Sequence, residues 1–282
     1  MPALSLIICI HGEQQLLTRL LESVKGCYDQ LIVVHDGLEE DEQSTVSQFV
    51  TASGGEYFSR PRAFQQEPHW PFAWAKARHN WILRLDADEL PSPELRDWLH
   101  AFRQRAEPEI FVAGYTCIWP LWNGRTLITQ NWPAGRIFLF DRNRVRFFGM
   151  VEQVPLPDGH FEPLPLVLEH RPARKSYGLH NLLVRRQAYR WRSVIAQSLL
   201  GKPTDLPCWR WTDESWPPVW EEIRRHPLRT ALHRLIVWPL RSLRDFWRHE
   251  HKLLPAAASS GGIHHCLIAL AYWRARRSLA KQ

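Results

Sequence analysis

The feature that most constrains the fold of this chain is a short apolar run that ends abruptly in carboxylates. Residues 81–89 read Trp-Ile-Leu-Arg-Leu-Asp-Ala-Asp-Glu, so Asp86, Asp88 and Glu89 follow directly on a hydrophobic segment. A run of about four to eight apolar residues is typical of a buried strand. In an open α/β sheet, the carboxyl end of such a strand opens into the crevice where ligands bind. We therefore expect a strand at 81–85 and a ligand site directly after it.

Asp86 and Asp88 are candidates for a metal site. If the chain bends after the strand, both carboxylates can reach one hard cation, which prefers oxygen ligands. Such a cation would suit a metal-bound nucleotide diphosphate. The alternative is that these carboxylates are ordinary loop residues before a helix that Ser92 caps and Pro93 begins. An Asp-x-Asp triplet is too common to decide between the two interpretations by itself.

The first hundred residues alternate between strand and helix patterns. Strand-like runs at 4–10, 31–34, 57–58 and 81–85 are separated by segments with helical spacing of apolar residues. This alternation predicts an α/β fold with a mostly parallel, doubly wound sheet. Asp36 also follows a strand, so it should meet Asp86 at one edge of that sheet.

The second half of the chain has a different pattern. Pro and Gly punctuate short strand-like runs from residue 110 onward, which predicts strands joined by loops. An Arg-rich helix and then further helices are expected towards the end. The predicted segments are strands at 110–118, 136–140, 144–148 and 166–168, a loop at 155–165, a helix at 177–200, an irregular Trp- and Pro-rich segment at 201–220, and helices over the last sixty residues.

The cysteines favour a reducing compartment. There are five, an odd number, and they are widely scattered without a C-x-x-C pair. This pattern does not indicate a disulfide framework. The N-terminus has no basic leader typical of a signal peptide, and no window holds the roughly 18 apolar residues of a membrane span.

Charge is divided unevenly along the chain. Residues 1–107 hold 10 Lys+Arg and 16 Asp+Glu, a net of −6, whereas the remainder holds 26 and 13, a net of +13. Such asymmetry points to a polyanionic partner for the basic half, either a membrane or a nucleic acid.

The basic residues of the tail accompany apolar stripes. Between 228 and 254, leucines and aromatic residues recur at helical spacing opposite several arginines, with a kink expected at Pro239. After a break expected at 256–262, the pattern repeats to the end of the chain. Basic amphipathic helices of this kind often lie in an anionic membrane surface. The alternative is that the stripes pack against the rest of the protein.

Three segments together resemble the inverting family 2 glycosyltransferases, which have a GT-A fold. They are Leu-Ser-Leu-Ile-Ile-Cys-Ile at 4–10, Val-Val-His-Asp-Gly at 33–37, and the run at 81–89. Weaker similarity at 136–140, 148–154 and 168–170 resembles the enzymes that build lipopolysaccharide core or other surface glycans. The resemblance implies a Rossmann-like, doubly wound mixed sheet with a helical, basic amphipathic extension at the C-terminus.

The resemblance also implies a domain plan and a reaction. Residues 1–200 would form the GT-A domain, with a nucleotide-sugar half at 1–107 and an acceptor half at 108–200. Residues 201–282 would form a Trp- and Pro-rich loop and amphipathic helices at the membrane surface. A sugar would pass from a nucleotide sugar, expected to be a UDP-sugar, to a glycan or lipid-linked acceptor of the cell envelope. The protein would then lie peripherally on the cytoplasmic face of the inner membrane.

By the same resemblance, Asp36 would contact the nucleotide base, Asp86 the ribose or the metal shell, and Asp88 a divalent ion, Mg²⁺ or Mn²⁺. His170, which ends an apolar run, would approach the metal or the diphosphate, although a lone histidine after a strand is more often structural. Relatives carry Arg-Asn where this chain has Trp70-Pro71. Lys76 and Arg78 are the candidates to supply the missing positive charge, unless they lie on a solvated helix face.

Inverting transfer also requires a base that takes a proton from the acceptor hydroxyl. Glu152 is the candidate, because it follows a strand and a glycine turn. The resemblance is displaced by one residue here, since relatives show His-Glu and this chain reads Val-Glu-Gln. Asp141 and Glu89 are the alternatives.

The sequence leaves three other functions to consider. A nucleic-acid-binding protein would suit the pI of about 9.4, but no RRM, zinc-finger or helix-turn-helix signature is present, so no nucleic acid is expected. A dinucleotide-dependent oxidoreductase would need a G-x-G-x-x-G after the first strand, which reads Ile-His-Gly-Glu instead. A third alternative is a catalytically inactive relative that serves as a scaffold at the membrane surface. The presence of Asp36, Asp86 and Asp88 argues against it, whereas the altered sequence around Glu152 keeps it open.

Overall fold

The computed structural model describes residues 1–37, 40–63, 65–106, 110–122, 127–128, 134–150, 153–171, 195–196, 198–201, 207–213, 215–248 and 255–281. The helices are α1 (Gln14–Ser23), α2 (Glu40–Ala52), α3 (Trp70–Lys76), α4 (Pro93–Phe102), α5 (Pro218–Arg225), α6 (Pro227–Arg248) and α7 (Pro255–Leu279). The strands are β1 (Leu4–Ile10), β2 (Gln30–Asp36), β3 (Glu56–Arg60), β4 (Trp81–Arg84), β5 (Glu89–Pro91), β6 (Gly114–Ile118), β7 (Leu121–Trp122), β8 (Leu127–Ile128), β9 (Ala134–Asp141), β10 (Val145–Arg146), β11 (Leu156–Pro157) and β12 (Phe161–His170).

A mixed sheet of eight strands organises the fold, in the order β3-β2-β1-β4-β9-β6-β12-β5. Strands β1 to β4 run parallel, β9 is antiparallel to β4 and β6, and β12 is parallel to β6. The carboxyl ends of β1, β2, β3, β4, β6 and β12 therefore meet the amino end of β9 at one edge. We call this the carboxyl edge of the sheet. The predicted α/β fold is confirmed.

Helices cover both faces of the sheet because apolar side chains of the strands alternate between two cores. On β1, Leu6 and Ile8 belong to the core that contains residues of α1, α2 and α4, whereas Ile7 and Cys9 belong to the core beneath α3. Ser92 caps α4 by accepting a hydrogen bond from Leu95 N at 3.2 Å, as its sequence predicts. The sheet is thus doubly wound, and its carboxyl edge lies between two helical layers.

A third core joins the C-terminal helices to the strand-rich half of the chain. Phe148 and Met150 pack with buried residues of α5 and α7, including Trp220 and Tyr272. The break expected at 256–262 was wrong, because these residues lie within α7. Helix α6 continues through Pro239. None of the helices in the described parts of the chain is both long enough and apolar enough to cross a membrane.

The loop predicted at 155–165 was also wrong, because this segment contains β11 and the start of β12. Residues from Phe161 onward form β12, although the strand contains Pro163 and Pro165. Its register against β6 shifts between Pro163 and Val167. Such a bulge accommodates prolines, which have no N–H to donate to a neighbouring strand. Of the helix predicted at 177–200, residues 177–194 and 197 lie outside the described residues, 195–196 and 198 are helical, and 199–200 form a turn.

Candidate functional site

A cavity of about 300 Å³ opens at the carboxyl edge of the sheet. Its walls come from segments that directly follow β1, β2, β3, β4 and β6, together with the end of β12, as expected for a doubly wound sheet. Thirteen residues line it: Cys9, Ile10, His11, Glu13, Asp36, Arg62, Gln65, Gln66, Asp86, Ala87, Asp88, Trp119 and His170. The sequence-predicted residues Asp36, Asp86, Asp88 and His170 are therefore brought together.

Asp36 ends β2, and neighbours contact both of its oxygens. Oδ1 accepts hydrogen bonds from the backbone N–H of Ala63 and from His69 Nε2, which lies 2.9 Å away. Oδ2 lies 3.6 Å from Arg62 Nε. Burial alone would raise the pKa of Asp36, but these hydrogen bonds and the charge of Arg62 hold it below its ordinary value. Asp36 is thus an ionised carboxylate that can only accept hydrogen bonds.

The segment after β3 supplies positive charge beside Asp36. Arg62 Nη1 donates to the backbone oxygen of Asp36 at 3.1 Å and also contacts His11 Nδ1. His11 Nδ1 lies 2.8 Å from the same backbone oxygen. The ends of β1, β2 and β3 are therefore linked by side chains that face one cavity.

Asp86 belongs to a buried ion network. Arg136 Nη2 donates to Asp86 Oδ2 at 2.8 Å and to Glu89 Oε2 at 3.0 Å, and Arg136 Nε lies 2.8 Å from Glu89 Oε1. The backbone N–H of Asp86 donates to Glu89 Oε2 at 2.8 Å, which closes the turn after β4. Burial opposes the charge of Asp86, but Arg136 and Arg84 hold its pKa below the ordinary value. This network fixes the shape of the Asp-x-Asp segment.

Asp88 and His170 form the most open pair of the site. His170 Nε2 lies 3.2 Å from Asp88 Oδ2, and 23% of the Asp88 side chain is exposed. The Trp119 indole stacks on the His170 ring, with 4.3 Å between centroids and 24° between planes. The backbone N–H of Arg171 donates to Asp88 O at 2.8 Å, which ties β12 to the Asp-x-Asp segment. Trp119 therefore positions the His170 ring, and the backbone of Arg171 holds the backbone of Asp88 in place.

The residues at this pair fit a divalent cation in their chemistry. A carboxylate and an imidazole are both ligands of Mn²⁺, and a carboxylate suits Mg²⁺. Within the described part of the chain, no cluster of three or more His, Cys, Asp or Glu side chains has the arrangement of a complete metal site. A cation at Asp88 would thus need oxygen ligands from a bound phosphate or from water.

Lys76 and Arg78 do not lie at the cavity, so the expectation that they bind the donor requires correction. Gln30, at the start of β2, accepts a hydrogen bond from Arg78 N and donates one to Lys76 O. A strand rises about 3.3 Å per residue, so this end of β2 lies about 20 Å from Asp36. Lys76 Nζ lies 5.5 Å from the centre of the Phe72 ring, and Arg78 pairs with Glu56.

The three candidates for the catalytic base differ in where they lie. Glu152 lies outside the described residues, so its role stays a prediction. Glu89 is fully buried beside Arg136 and is not among the residues that line the cavity. Asp141 pairs in the sheet with Trp81, the first residue of β4, and therefore lies at the opposite edge from Asp86. Neither alternative to Glu152 faces the cavity.

Sequence reasoning missed five residues of the site: His11, Arg62, His69, Trp119 and Arg136. His11, Arg62 and Trp119 follow the ends of β1, β3 and β6, so the rule that led to Asp36 could have found them. Arg136 is near the start of antiparallel β9, and His69 lies in the short turn before α3. Only the register of β9 and the fold of that turn bring these two to the carboxyl edge.

Comparisons with known proteins give one family match and several similar structures. The family described as glycosyl transferase family 2 matches residues 5–147, which is just over half of the 282 residues. Among curated proteins, no sequence matches significantly. A structure of S. aureus TarS 1–349 is 12% identical, with a TM-score of 0.44, and 98% of this chain covers 92% of that one.

Two other similar structures have comparable scores. Glucosyl-3-phosphoglycerate synthase from Mycobacterium tuberculosis, in complex with Mn²⁺, uridine diphosphate and glucosyl-3-phosphoglycerate, is 15% identical over 70% of this chain and 79% of that chain, with a TM-score of 0.42. Another S. aureus TarS structure is 12% identical over 71% of this chain, with a TM-score of 0.41. The present chain spans only 40% of the length of that TarS chain.

Proposed function

This chain belongs to glycosyl transferase family 2 and is a glycosyltransferase, and we propose that it transfers a sugar from a UDP-sugar to an envelope glycan acceptor with inversion at the sugar carbon. The proposal rests on one observation. The nucleotide-binding candidate Asp36 and the cation-binding candidates Asp88 and His170 line the same cavity at the carboxyl edge. A nucleoside diphosphate has a base at one end and a diphosphate at the other, and in the sheet β1 separates β2, which Asp36 ends, from β4, which Asp88 follows.

The uridine end of the donor is assigned to Asp36. Its Oδ1 already accepts two hydrogen bonds, so Oδ2 is the oxygen left to receive a further donor. The imide of uracil has a single N–H, whereas guanine has two adjacent donors that favour both oxygens of a carboxylate. An ionised carboxylate with one available oxygen therefore suits uracil. Arg62 lies beside it and limits the space around that oxygen.

The diphosphate end is assigned to Asp88 and His170, with Asp86 between the two ends near the ribose. Asp88 and His170 would hold Mg²⁺ or Mn²⁺ together with phosphate oxygens. The ion, when bound, neutralises charge on the departing nucleoside diphosphate. Asp86 is neutralised in part by Arg136, which leaves Asp88 as the carboxylate with more room for a cation.

The acceptor's base is assigned to Glu152, in the half of the domain opposite the donor. The described residues on either side of it are in contact with one another and with Pro207. Gly149 has φ of 84°, and the position of a Cβ on it would lie 1.9 Å from Pro207 O, so only glycine fits. Phe148 N donates to Gln153 Oε1 at 3.2 Å. In the proposed reaction, Glu152 would take the proton from the acceptor hydroxyl.

The acceptor is proposed to be a lipid-linked or polysaccharide glycan of the lipopolysaccharide type. The reaction would then take place at the cytoplasmic face of the inner membrane, where UDP-sugars and lipid-linked acceptors meet. None of the five cysteines forms a disulfide, which is consistent with a reducing compartment.

A thermal-shift screen of nucleotide sugars, each with Mn²⁺ and with chelator, tests the donor assignment. We expect uridine nucleotides to raise the melting temperature more than cytidine or guanosine nucleotides, and Mn²⁺ to enlarge that shift. Asp88→Asn should remove the enlargement. Asp97→Asn, which changes an exposed carboxylate of α4 away from the cavity, is the control. Equal shifts with all bases, or shifts unaffected by chelator, would contradict the proposal.

A further inference from the structure

Helix α6 exposes an apolar stripe over nearly its whole length. Seven large side chains of this helix are between 48% and 64% exposed. At about 100° per residue, they fall within an arc of about 140° around the helix axis. The stripe consists of Leu228, Leu232, Leu235, Ile236, Leu240, Leu243 and Trp247. A contiguous row of apolar side chains that faces solvent marks an interaction site.

The opposite face of α6 is anchored, so the direction of the stripe is fixed. Thr230 and Ala231 are buried, and Thr230 Oγ1 donates to His226 O at 2.9 Å. Arg234 Nη2 lies 3.5 Å from Glu222 Oε2 on α5. Helix α6 also packs along α7, as the close approach of their backbones shows. The stripe therefore faces away from the body of the protein.

Exposed arginines lie within and beside the stripe. On α6, Arg229 falls inside the arc of the stripe and Arg244 falls about 40° beyond its edge. Arg276 and Arg277 are exposed near the end of α7, close to the start of α6. Positive charge at the margins of an apolar stripe is the pattern by which an amphipathic helix binds a bilayer that contains anionic lipids.

A cleft continues the stripe at its N-terminal end. Leu228, the first residue of the stripe, and Trp273 of α7 provide apolar walls, and arginines stand at the rim. The cleft has a volume of about 470 Å³. The guanidinium carbon of Arg277 lies 4.9 Å from the centre of the Trp273 ring. Apolar walls below several guanidinium groups suit the phosphate and upper acyl chain of a phospholipid.

We propose that the stripe of α6 docks on an anionic phospholipid bilayer, with the helix in the plane of the interface and a lipid phosphate in the cleft. Helix α6 has 22 residues, so about 33 Å of helix would lie on the surface. The bilayer is favoured over a second copy of this chain because arginines border the stripe, and two copies would bring like charges together. The inference does not depend on the sugar donor or acceptor, so it can fail while the proposed transfer holds.

Vesicle sedimentation with the full chain tests this proposal. We expect binding to vesicles of phosphatidylcholine with 30% phosphatidylglycerol (about one lipid in three, enough for a negative surface potential) and at least about tenfold weaker binding to phosphatidylcholine alone. The double variant Leu232→Glu/Leu235→Glu should lose at least about tenfold in binding to the anionic vesicles. Arg229→Glu/Arg277→Glu should weaken binding and reduce its dependence on salt.

The controls separate docking from folding. Phe111→Glu changes an apolar residue that is 79% exposed elsewhere on the protein, and it should bind vesicles as the parent does. The α6 double variant should keep the parent's melting temperature and its thermal shift with uridine diphosphate. Full vesicle binding by that variant would overturn the proposal. A second result would also overturn it: the parent forms a dimer in lipid-free solution, measured by sedimentation velocity, and does not bind vesicles, and the α6 double variant dissociates that dimer.

Discussion

Two aspartate–histidine pairs lie at the same edge of the sheet. They differ in how much of the carboxylate is covered by neighbouring residues of the protein. Asp36 lies 2.9 Å from His69, and the exposed fractions of these two side chains are 8% and 3%. Asp88 lies 3.2 Å from His170, and the corresponding fractions are 23% and 12%. Both carboxylates line the cavity, but neighbours cover more of the first than of the second. We call them the closed pair and the open pair.

The difference shows how one sheet edge can recognise two parts of one ligand. A carboxylate whose partners are fixed accepts a further hydrogen bond in one direction only, so it selects a base by the position of its N–H. A carboxylate that is open to the cavity keeps its charge available for a cation, because fewer protein donors neutralise it. Both pairs are acidic and both include histidine, so residue type alone would not separate their roles. Their different surroundings do.

The largest expected effect concerns the open pair. Asp88→Asn should lower turnover by about 10³-fold, or about 4 kcal/mol, because the site loses the charge that would hold the cation on the leaving group. The melting temperature should stay close to the parent's, since the side chain is partly exposed. Hydrolysis of the UDP-sugar with saturating Mn²⁺ measures the loss. Parent-like turnover in this variant would remove the open pair from the reaction.

The next effect concerns the network that supports the open pair. Arg136→Gln leaves Asp86 and Glu89 without their shared cation, and it should cost about 3 kcal/mol of unfolding free energy. Urea denaturation measures this cost. The double variant Arg136→Gln/Glu89→Gln removes one of the two stranded charges and should recover part of the stability. If Arg136→Gln were as stable as the parent, the ion network would not be what fixes the Asp-x-Asp turn.

A smaller effect is expected at the closed pair. Asp36→Asn should weaken binding of uridine diphosphate by about 2 kcal/mol, or roughly 30-fold, through loss of a charged acceptor for the imide N–H. Calorimetry in the presence of chelator isolates this contribution from any cation. Binding that is unchanged under these conditions would show that the base lies elsewhere.

The smallest effect tests how the closed pair is held. His69→Leu removes a donor to Asp36, so the pKa of Asp36 should rise while its burial persists. A carboxyl with a depressed pKa is ionised, and contributes stability, above its unfolded value of about 3.9, and it loses this contribution as the pH falls through the folded pKa. His69→Leu should therefore move the acid limit of uridine diphosphate binding to higher pH and cost about 1 kcal/mol in affinity.

His69→Gln keeps a donor and is the matched control for that change. It should bind uridine diphosphate with an acid limit closer to the parent's than that of His69→Leu. Identical pH profiles for the two variants would mean that His69 only fills space beside Asp36.

The sequence could predict the parts of the site that depend on parallel strands. Asp36, Asp86 and Asp88 follow apolar runs in an alternating pattern, so their meeting at one edge follows from the direction of the strands. His170 ends β12 at the same edge for the same reason. Lys76 and Arg78 were misplaced because α3 returns the chain to the opposite edge before β4 begins.

The other parts of the fold and of the site could not be predicted, because they depend on strand register and on irregular backbone. Arg136 reaches Asp86 because antiparallel β9 brings its start, rather than its end, to the carboxyl edge. Strand β12 contains prolines that indicate a loop, and only its bulge against β6 reconciles them with a strand. The stripe of α6 was visible as a helical period, but a period does not show whether an apolar face is buried. The exposure of that face needed the packing of α5 and α7.

The most direct test of the division between the two pairs is the ratio of uridine diphosphate dissociation constants with chelator and with Mn²⁺, measured by calorimetry for the parent, Asp36→Asn and Asp88→Asn. We expect Asp88→Asn to bring the ratio to about one without changing the metal-free affinity. We expect Asp36→Asn to weaken both affinities while the ratio stays at the parent's value. The division of roles between the two pairs would be wrong if Asp36→Asn brought the ratio to one or if Asp88→Asn left it at the parent's value.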